Sequence, residues 1–165
     1  MKTPLFVVLF TWCAFTLHAQ PLVINQEQET VSAYSLYPFS KIINAGSSNI
    51  GIAEVKQKIA NMEAQSIMHD NANVSFTANY YWQTLSILNN TPETKVYYLE
   101  TARPMTDSVI LYTEFANGTI KKQLSGDAVP FKNRDYQHRK SVFKVELPPN
   151  EQLNFFINLK SDGEV

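Results

Sequence analysis

Two runs near the end of the sequence alternate apolar and polar residues with a period of two. Three apolar residues, Phe143, Val145 and Leu147, alternate with Lys144 and Glu146. After a Pro-Pro-Asn corner the apolar positions of a second run are Leu153, Phe155, Ile157 and Leu159, and the positions between them are Asn154, Phe156, Asn158 and Lys160. Because successive side chains of a strand point to opposite faces, this pattern predicts antiparallel strands with one buried face and one solvated face.

Several strand-like runs precede that pair and are rich in β-branched and aromatic residues. They cover residues 21–25, 74–80, 81–88, 95–101 and 108–114. The dipeptide Asn117-Gly118 predicts a hairpin with a type I′ turn, because both residues tolerate positive φ. About seven or eight short strands with frequent turns predict an all-β, antiparallel β-sandwich.

One segment departs from the strand period. Within residues 51–64 the apolar side chains recur at three- and four-residue steps, at Ile52, Val55, Ile59 and Met62. That spacing predicts one short helix near the N-terminus of the domain. The Asp- and Asn-containing residues 68–73 predict a turn after it, and residues 26–50 are interpreted as a polar loop.

The N-terminus predicts export. A lysine at position 2 is followed by an apolar run over residues 5–17, and Ala19 precedes Gln20 at a suitable cleavage position. This is the layout of a signal peptide, with an apolar segment too short to span a bilayer comfortably, and an uncleaved anchor is the alternative. We therefore expect residues 1–19 to be removed and residues 20–165 to form one domain, either on the periplasmic side of the inner membrane or secreted. The only cysteine, Cys13, lies in the removed segment, so the domain is expected to fold without disulfides.

Composition narrows the function classes. The chain is 44% hydrophobic and 12% aromatic, which predicts a packed domain rather than disorder. Its formal net charge of −1 gives no electrostatic reason to expect a nucleic-acid partner. The scattered histidines and the lack of phosphate-loop, dinucleotide and nucleophile-elbow motifs predict no metal and no cofactor. A glycosidase needs two nearby carboxylates, for which Asp127 and Asp135 are candidates with no special spacing.

A basic stretch follows Pro130-Phe131 and is a candidate binding segment. Its charged and titratable residues are Lys132, Arg134, His138, Arg139 and Lys140, interleaved with Tyr136. Arginine forms paired hydrogen bonds with anions, so the stretch could hold an anionic ligand or an acidic partner. A solvated edge is the alternative, and by spacing alone it is favoured. Trp82 could similarly be a sugar-stacking platform, although core packing is favoured because aromatic residues dominate sandwich cores.

The order of segments from about Gly51 to Ser161 resembles the type 2 extracellular sensor domain of bacterial seven-transmembrane receptors with diverse intracellular signalling modules. The matching segments are the helix IAEVKQKIA, the strand YYWQTLSILNNTPE and the stretch YYLETARPMTDSVILY. The most specific match is the final run, which has Gly126, Asp127, Pro130, Phe131, Arg134, His138, Arg139 and Phe143, followed by LPPNE.

This resemblance implies a jelly-roll-like sandwich, similar to carbohydrate-binding modules, outside the inner membrane. It implies sensing of a small molecule, with sugars among the candidates, and signalling through seven membrane helices to a cytoplasmic output domain. Asp127, Arg134, His138 and Arg139 are then expected near a ligand or inter-domain surface. Structural use of Arg134 is the alternative, with Asp127 or a main-chain carbonyl holding its guanidinium.

The chain departs from the family pattern at two places. Gln83-Thr84 follows Trp82, where the family commonly carries an arginine, and the sequence stops at Val165, where the family continues into a last strand and membrane helices. We therefore expect either a fragment or truncated gene product, or a stand-alone secreted relative, and in both cases a chain that cannot transduce a signal by itself. The sequence predicts a non-catalytic sensor; the alternatives are first a structural or adhesive secreted sandwich without a small ligand, and then a glycoside-active enzyme.

Overall fold

Two β-sheets pack face to face in the computed structural model, which describes residues 20–26, 33–67, 78–101 and 106–161. The strands are β1 (Leu22–Ile24), β2 (Lys41–Gly46), β3 (Gln65–Ser66), β4 (Tyr80–Asn89), β5 (Lys95–Glu100), β6 (Ser108–Glu114), β7 (Ile120–Ser125), β8 (Val142–Leu147) and β9 (Gln152–Lys160), and helix α1 is Ile52–Ala60. The larger sheet has the order β3-β2-β4-β9-β6-β7, with β1 paired in parallel to β4. The smaller sheet is the antiparallel pair β5-β8.

The main core lies between the two sheets. The larger sheet contributes residues from β1, β4, β6 and β9, and the smaller sheet contributes Leu99, Phe143, Val145 and Leu147. Fully burying one such side chain stabilises the fold by about 1.5–3 kcal/mol. The predicted antiparallel β-sandwich is confirmed, while the jelly-roll connectivity stays a prediction.

Helix α1 covers the opposite face of the larger sheet. Val55 is fully buried there and belongs to a second core cluster with Ile43, Trp82 and Phe156. The predicted helix is confirmed, but it ends at Ala60, earlier than predicted. Beyond the helix end Met62 has a φ of 61°, a left-handed conformation that a right-handed helix does not contain.

The solvated face predicted for β9 is wrong at two positions. Phe156 is 5% exposed and Asn158 is 2% exposed. Phe156 packs in the cluster beneath α1, and Asn158 donates a hydrogen bond to Asn49 Oδ1 at 3.4 Å. Period two marks which face a side chain is on, but it does not show whether a helix covers that face.

Strand β2 was not predicted, because residues 26–50 were interpreted as loop. It pairs antiparallel to β4 and places Ile43 opposite Trp82. A register shift between Asn44 and Gly46 interrupts the pairing. The register shift, together with the small and polar residues of β2, removes the alternation of apolar and polar residues by which a strand is recognised in a sequence.

The hairpin predicted at Asn117-Gly118 joins β6 to β7, but the predicted turn type is wrong. A type I′ turn needs positive φ at both residues, and only Gly118 has it, at 81°. The side chain of Asn117 instead accepts a hydrogen bond from the Thr119 N–H at 2.9 Å. Three other predictions, the signal peptide at residues 1–19, the turn at 68–73 and most of the strand at 74–80, lie outside the described residues.

One end of the sandwich, which we call the Lys160 pole, collects the ends of several strands. Lys160 ends β9 and lies opposite Tyr80 at the start of β4 and Ser108 at the start of β6. Strand β7 runs antiparallel to β6 and therefore also ends at this pole. The connection from β7 to β8, residues 126–141, begins here and contains the whole basic stretch. Among the described residues no helix is both long and apolar enough to cross a membrane.

Candidate functional site

The 126–141 loop starts at a glycine that fits tightly against β6. Gly126 is buried and has a φ of 127°, and a Cβ atom there would lie 2.4 Å from the Asp107 carbonyl oxygen and 2.8 Å from the Ser108 Cα. The next residue, Asp127, donates its N–H to the Thr106 carbonyl at 2.8 Å. The Gly-Asp pair thus fixes the beginning of the loop to the residues that lead into β6.

Arg134 ties the two arms of this loop together. Its Nε donates to the Val129 carbonyl at 3.1 Å, its Nη1 to the His138 carbonyl at 3.0 Å, and its Nη2 to the Asp127 carbonyl at 3.5 Å. The Phe131 ring centroid lies 5.7 Å from the guanidinium carbon. A planar guanidinium can satisfy several acceptors at once, which a lysine ammonium does less well. Its contacts make Arg134 a residue that holds the loop in shape.

Asp135 fixes the middle of the loop to β7. Its N–H donates to the Leu124 carbonyl at 3.0 Å, and its carboxylate accepts a hydrogen bond from the Leu124 N–H at 2.5 Å. The other acid of the proposed carboxylate pair, Asp127, is exposed at the start of the loop. The Asp135 carboxylate is therefore engaged in supporting the loop.

Beyond Asp135 the loop packs against a β5 side chain that faces out of the sandwich. The Tyr136 ring lies 5.3 Å from the Tyr98 ring and 6.4 Å from the His138 ring, centroid to centroid. Tyr98 remains 56% exposed, opposite the exposed Lys144 of β8. We call Tyr98, Tyr136 and His138 the ring cluster. It presents aromatic surface to solvent on the outer side of the smaller sheet.

The polar side chains that follow Tyr136 in the loop differ in their hydrogen-bond and ion-pair partners. His138 Nδ1 accepts a hydrogen bond from the Lys140 N–H at 3.2 Å, so a neutral ring carries its proton on Nε2. Lys140 forms an ion pair with Glu100 at 2.5 Å. Arg139 is exposed, and within the described part of the chain its guanidinium has no hydrogen-bond or ion-pair partner.

Trp82 lies apart from the loop, in the cluster under α1. It is 1% exposed and stacks on Tyr112, with the ring centroids 5.6 Å apart and an angle of 25° between the planes. Its indole N–H has no hydrogen-bond partner among the described residues. The core packing that the sequence favoured for Trp82 is what the structure contains, and a sugar platform would require a face that is covered here.

Of the predicted motif residues, Arg134 contacts the main-chain carbonyls of Asp127 and His138, and Arg139 directly follows His138 in the chain. Sequence reasoning missed Tyr98. The signal was present, because in KVYYLE one tyrosine must share the face of buried Leu99 while its neighbour points outward.

Two further observations concern ligand and metal sites outside the 126–141 loop. A cavity of about 290 Å³ lies between β1 and β5, lined by Ile24, Asn25, Lys95, Val96 and Tyr97, none of which belongs to the 126–141 loop. In the described residues no group of three or more His, Cys, Asp or Glu side chains is placed to hold a metal ion.

Comparison with known proteins gives one assignment. No curated protein matches the chain. The sequence profile described as 7TMR-DISM extracellular 2 matches residues 38–165, which include every strand from β2 onward and the complete 126–141 loop. The chain therefore belongs to the 7TMR-DISM extracellular 2 family, the extracytoplasmic sensor domains of seven-transmembrane receptors.

Proposed function

We propose that this domain is a non-catalytic sensor that binds a small polar ligand on the surface formed by the ring cluster and Arg139. The observation that carries the proposal is the packing of the exposed Tyr98 ring on the half-buried Tyr136 ring, in a loop that also carries the exposed Arg139, whose guanidinium has no partner among the described residues. Saccharides are the first ligand class to test, because their C–H faces stack on flat aromatic rings. Sugar acids and organic acids come next, because Arg139 can form paired hydrogen bonds with a carboxylate.

The rigidity of the loop supports this use. Arg134 and Asp135 hold the loop through main-chain contacts, so its backbone does not have to be ordered when a ligand arrives. Pre-organisation of this kind lowers the entropic cost of binding. In this scheme His138 and Arg139 contact the ligand, Asp127 is a peripheral acceptor, and Trp82 packs in the core under α1, away from the ligand.

The remaining parts of the proposal follow from the family. The domain would be exported after removal of residues 1–19 and would act on the periplasmic side of the inner membrane of a bacterium. Its partners would be a seven-helix membrane segment and a cytoplasmic output domain. A structural or adhesive role without a small ligand is the competing function, and it is favoured by the openness of the ring-cluster surface.

A thermal-shift series tests the proposal. The exported protein is screened with neutral sugars, sugar acids and simple carboxylates, since a ligand that binds only the folded state raises the melting temperature. We expect at least one of these classes to raise it, and the shift to be lost in Tyr98→Ser and Arg139→Ala. Ile120→Ser and Lys121→Ala, at exposed positions of β7, are matched controls that should keep the shift. No shift with any class, or equal losses in the test and control variants, would favour the adhesive role.

A further inference from the structure

The tip of the 126–141 loop carries an exposed aromatic residue beside an exposed lysine. Phe131 is 52% exposed, and its neighbours Pro130 and Lys132 are also exposed. Burying a phenylalanine side chain is worth about 1.5–3 kcal/mol, so a domain gains from folding such a ring inward. Here the loop is held by Arg134, which contacts the Phe131 ring. The outward position of Phe131 is thus part of an ordered loop.

The same end of the sandwich carries a second pair of a lysine and an aromatic ring. At the Lys160 pole the Lys160 ammonium lies 5.3 Å from the centroid of the Tyr80 ring and donates to the Ala78 carbonyl at 2.9 Å. Aromatic residues combined with lysine and arginine are typical of the boundary between water and lipid headgroups.

The local charge of this end is more basic than that of the whole chain, whose net charge is −1. The charged residues of this end are the cations Lys132, Arg134, Arg139, Lys140 and Lys160 and the acids Glu100, Asp107, Asp127 and Asp135, so the cations outnumber the acids by one. The second loop acid, Asp135, is hydrogen-bonded to the β7 main chain. Cations close to an anionic bilayer are attracted to it, by about 1 kcal/mol for each lysine or arginine near the surface.

We propose that the Lys160 pole and the tip of the 126–141 loop rest on an anionic lipid surface, with Phe131 entering the headgroup layer and Lys132 contacting lipid phosphates. A bilayer fits better than a protein partner, because a single protruding ring is far smaller than the roughly 1,000 Å² that a specific protein interface buries. The inference rests on the exposed Phe131 and Lys132 and on the charge of this end, and not on the ligand proposed for the ring cluster.

Vesicle cosedimentation tests this proposal. The protein used is residues 20–165, which contain every described core residue and lack the apolar segment at residues 5–17. Its binding is compared on vesicles of phosphatidylcholine alone and vesicles with about one third phosphatidylglycerol, at low and high salt. We expect binding to the anionic vesicles only, weakened by salt because the attraction is screened.

Two double variants of the same chemical kind, one at the loop tip and one in β7, test which surface binds the vesicles. The double variant Phe131→Ser/Lys132→Glu replaces the exposed ring and the lysine of the loop tip. The control Ile120→Ser/Lys121→Glu makes the same kind of change in an exposed apolar residue and a lysine at the start of β7, at the opposite end of the sandwich. We expect at least about tenfold weaker binding for the first and little change for the second. Lys132→Glu alone is a milder variant should the double variant melt early, and about a fivefold loss is expected for it.

Three results would overturn the proposal: no binding to anionic vesicles, equal binding to neutral vesicles, or equal losses in the tip and control variants. Failure of the ligand proposal would be seen separately. Tyr98→Ser should abolish the ligand-dependent thermal shift and leave vesicle binding intact, because Tyr98 lies on the smaller sheet and not at the loop tip.

Discussion

The Arg134 side chain donates a hydrogen bond to the His138 main-chain oxygen at 3.0 Å, joining two residues of one irregular loop. Together with its bonds to Val129 and Asp127, this contact gives a loop without regular structure a fixed shape. Both surfaces proposed above, the ring cluster and the loop tip, depend on that shape.

Replacing Arg134 by lysine should therefore destabilise the domain. A lysine cannot reach three carbonyls in different directions, and hydrogen bonds from a charged group contribute about 1.5–3 kcal/mol. We expect the free energy of unfolding to fall by about 2 kcal/mol in urea titrations. Arg139→Lys is the control, because Arg139 is exposed and has no partner among the described residues; it should change stability by less than about 0.5 kcal/mol. Equal effects of the two variants would show that the carbonyl contacts of Arg134 contribute nothing.

Gly126→Ala should be among the most damaging small substitutions. The new Cβ would lie 2.4 Å from the Asp107 carbonyl oxygen, a main-chain atom that cannot move away cheaply, and φ is 127°. Clash and strain together should cost about 3 kcal/mol or more of unfolding free energy.

Substitutions at two other glycines separate the contribution of steric clash from that of backbone strain. Gly118 has a φ of 81°, and no atom lies within 4 Å of the place that an added methyl group would take, so Gly118→Ala should show strain alone, about 1–2 kcal/mol. Gly51 has neither positive φ nor a close neighbour, and Gly51→Ala should be nearly neutral. A Gly126→Ala protein as stable as Gly118→Ala would mean that the loop does not sit against β6 as described.

The sequence predicted those parts of the fold that have a clean period. Strand β6 matches its predicted residues 108–114, β8 follows the predicted alternation, and in β9 the apolar positions Leu153, Phe155 and Ile157 are buried as predicted. Strand β2 was missed because its bulge and its small residues remove the period. The burial of Phe156 was missed because it depends on α1, about a hundred residues earlier in the chain, and local periodicity contains no information about such a contact.

The candidate site stays a prediction, and its side-chain geometry could not be read from the sequence. Spacing along the chain does not show that Arg134 points to the carbonyls of Asp127 and His138 while Arg139 has no partner among the described residues. In the sequence, Tyr136 is only one residue of the basic stretch. Its contact with Tyr98 joins a loop to a strand far away in sequence, so no local pattern indicates it.

Asn89 provides a test of a buried polar group that holds the two sheets together. Its side chain is fully buried and its Nδ2 donates to the carbonyls of Glu93, Leu147 and Pro148 at 2.8–3.0 Å. Asn89→Asp would place carboxylate oxygens against those carbonyls, and we expect a loss of about 3 kcal/mol or more by urea titration.

The adjacent asparagine is the control for that substitution. Asn90 is exposed, and its side chain bonds to the Asn25 side chain at 2.8 Å. Asn90→Asp should cost less than about 1 kcal/mol, because water can solvate the new charge. A mild Asn89→Asp phenotype would mean that the connection between β8 and β9 does not depend on this amide.

Trp82 allows the covering role of α1 to be measured directly. The chain has two tryptophans, and the other, Trp12, lies in the predicted signal peptide, so the fluorescence of residues 20–165 reports Trp82 alone. Because the indole is 1% exposed, we expect blue-shifted emission, weak quenching by iodide, and a red shift on unfolding.

The variant Trp82→Phe/Tyr98→Trp supplies the exposed reference in the same protein. Its indole would lie at a position that is 56% exposed, so its emission should be red-shifted and strongly quenched by iodide. A sugar that binds the ring cluster should change the emission of this variant and leave that of Trp82 unchanged. If native Trp82 were quenched as strongly as the reference, or responded to a sugar that the ring cluster ignores, α1 would not cover it and the binding surface would have to be moved to the helix-bearing face of the larger sheet.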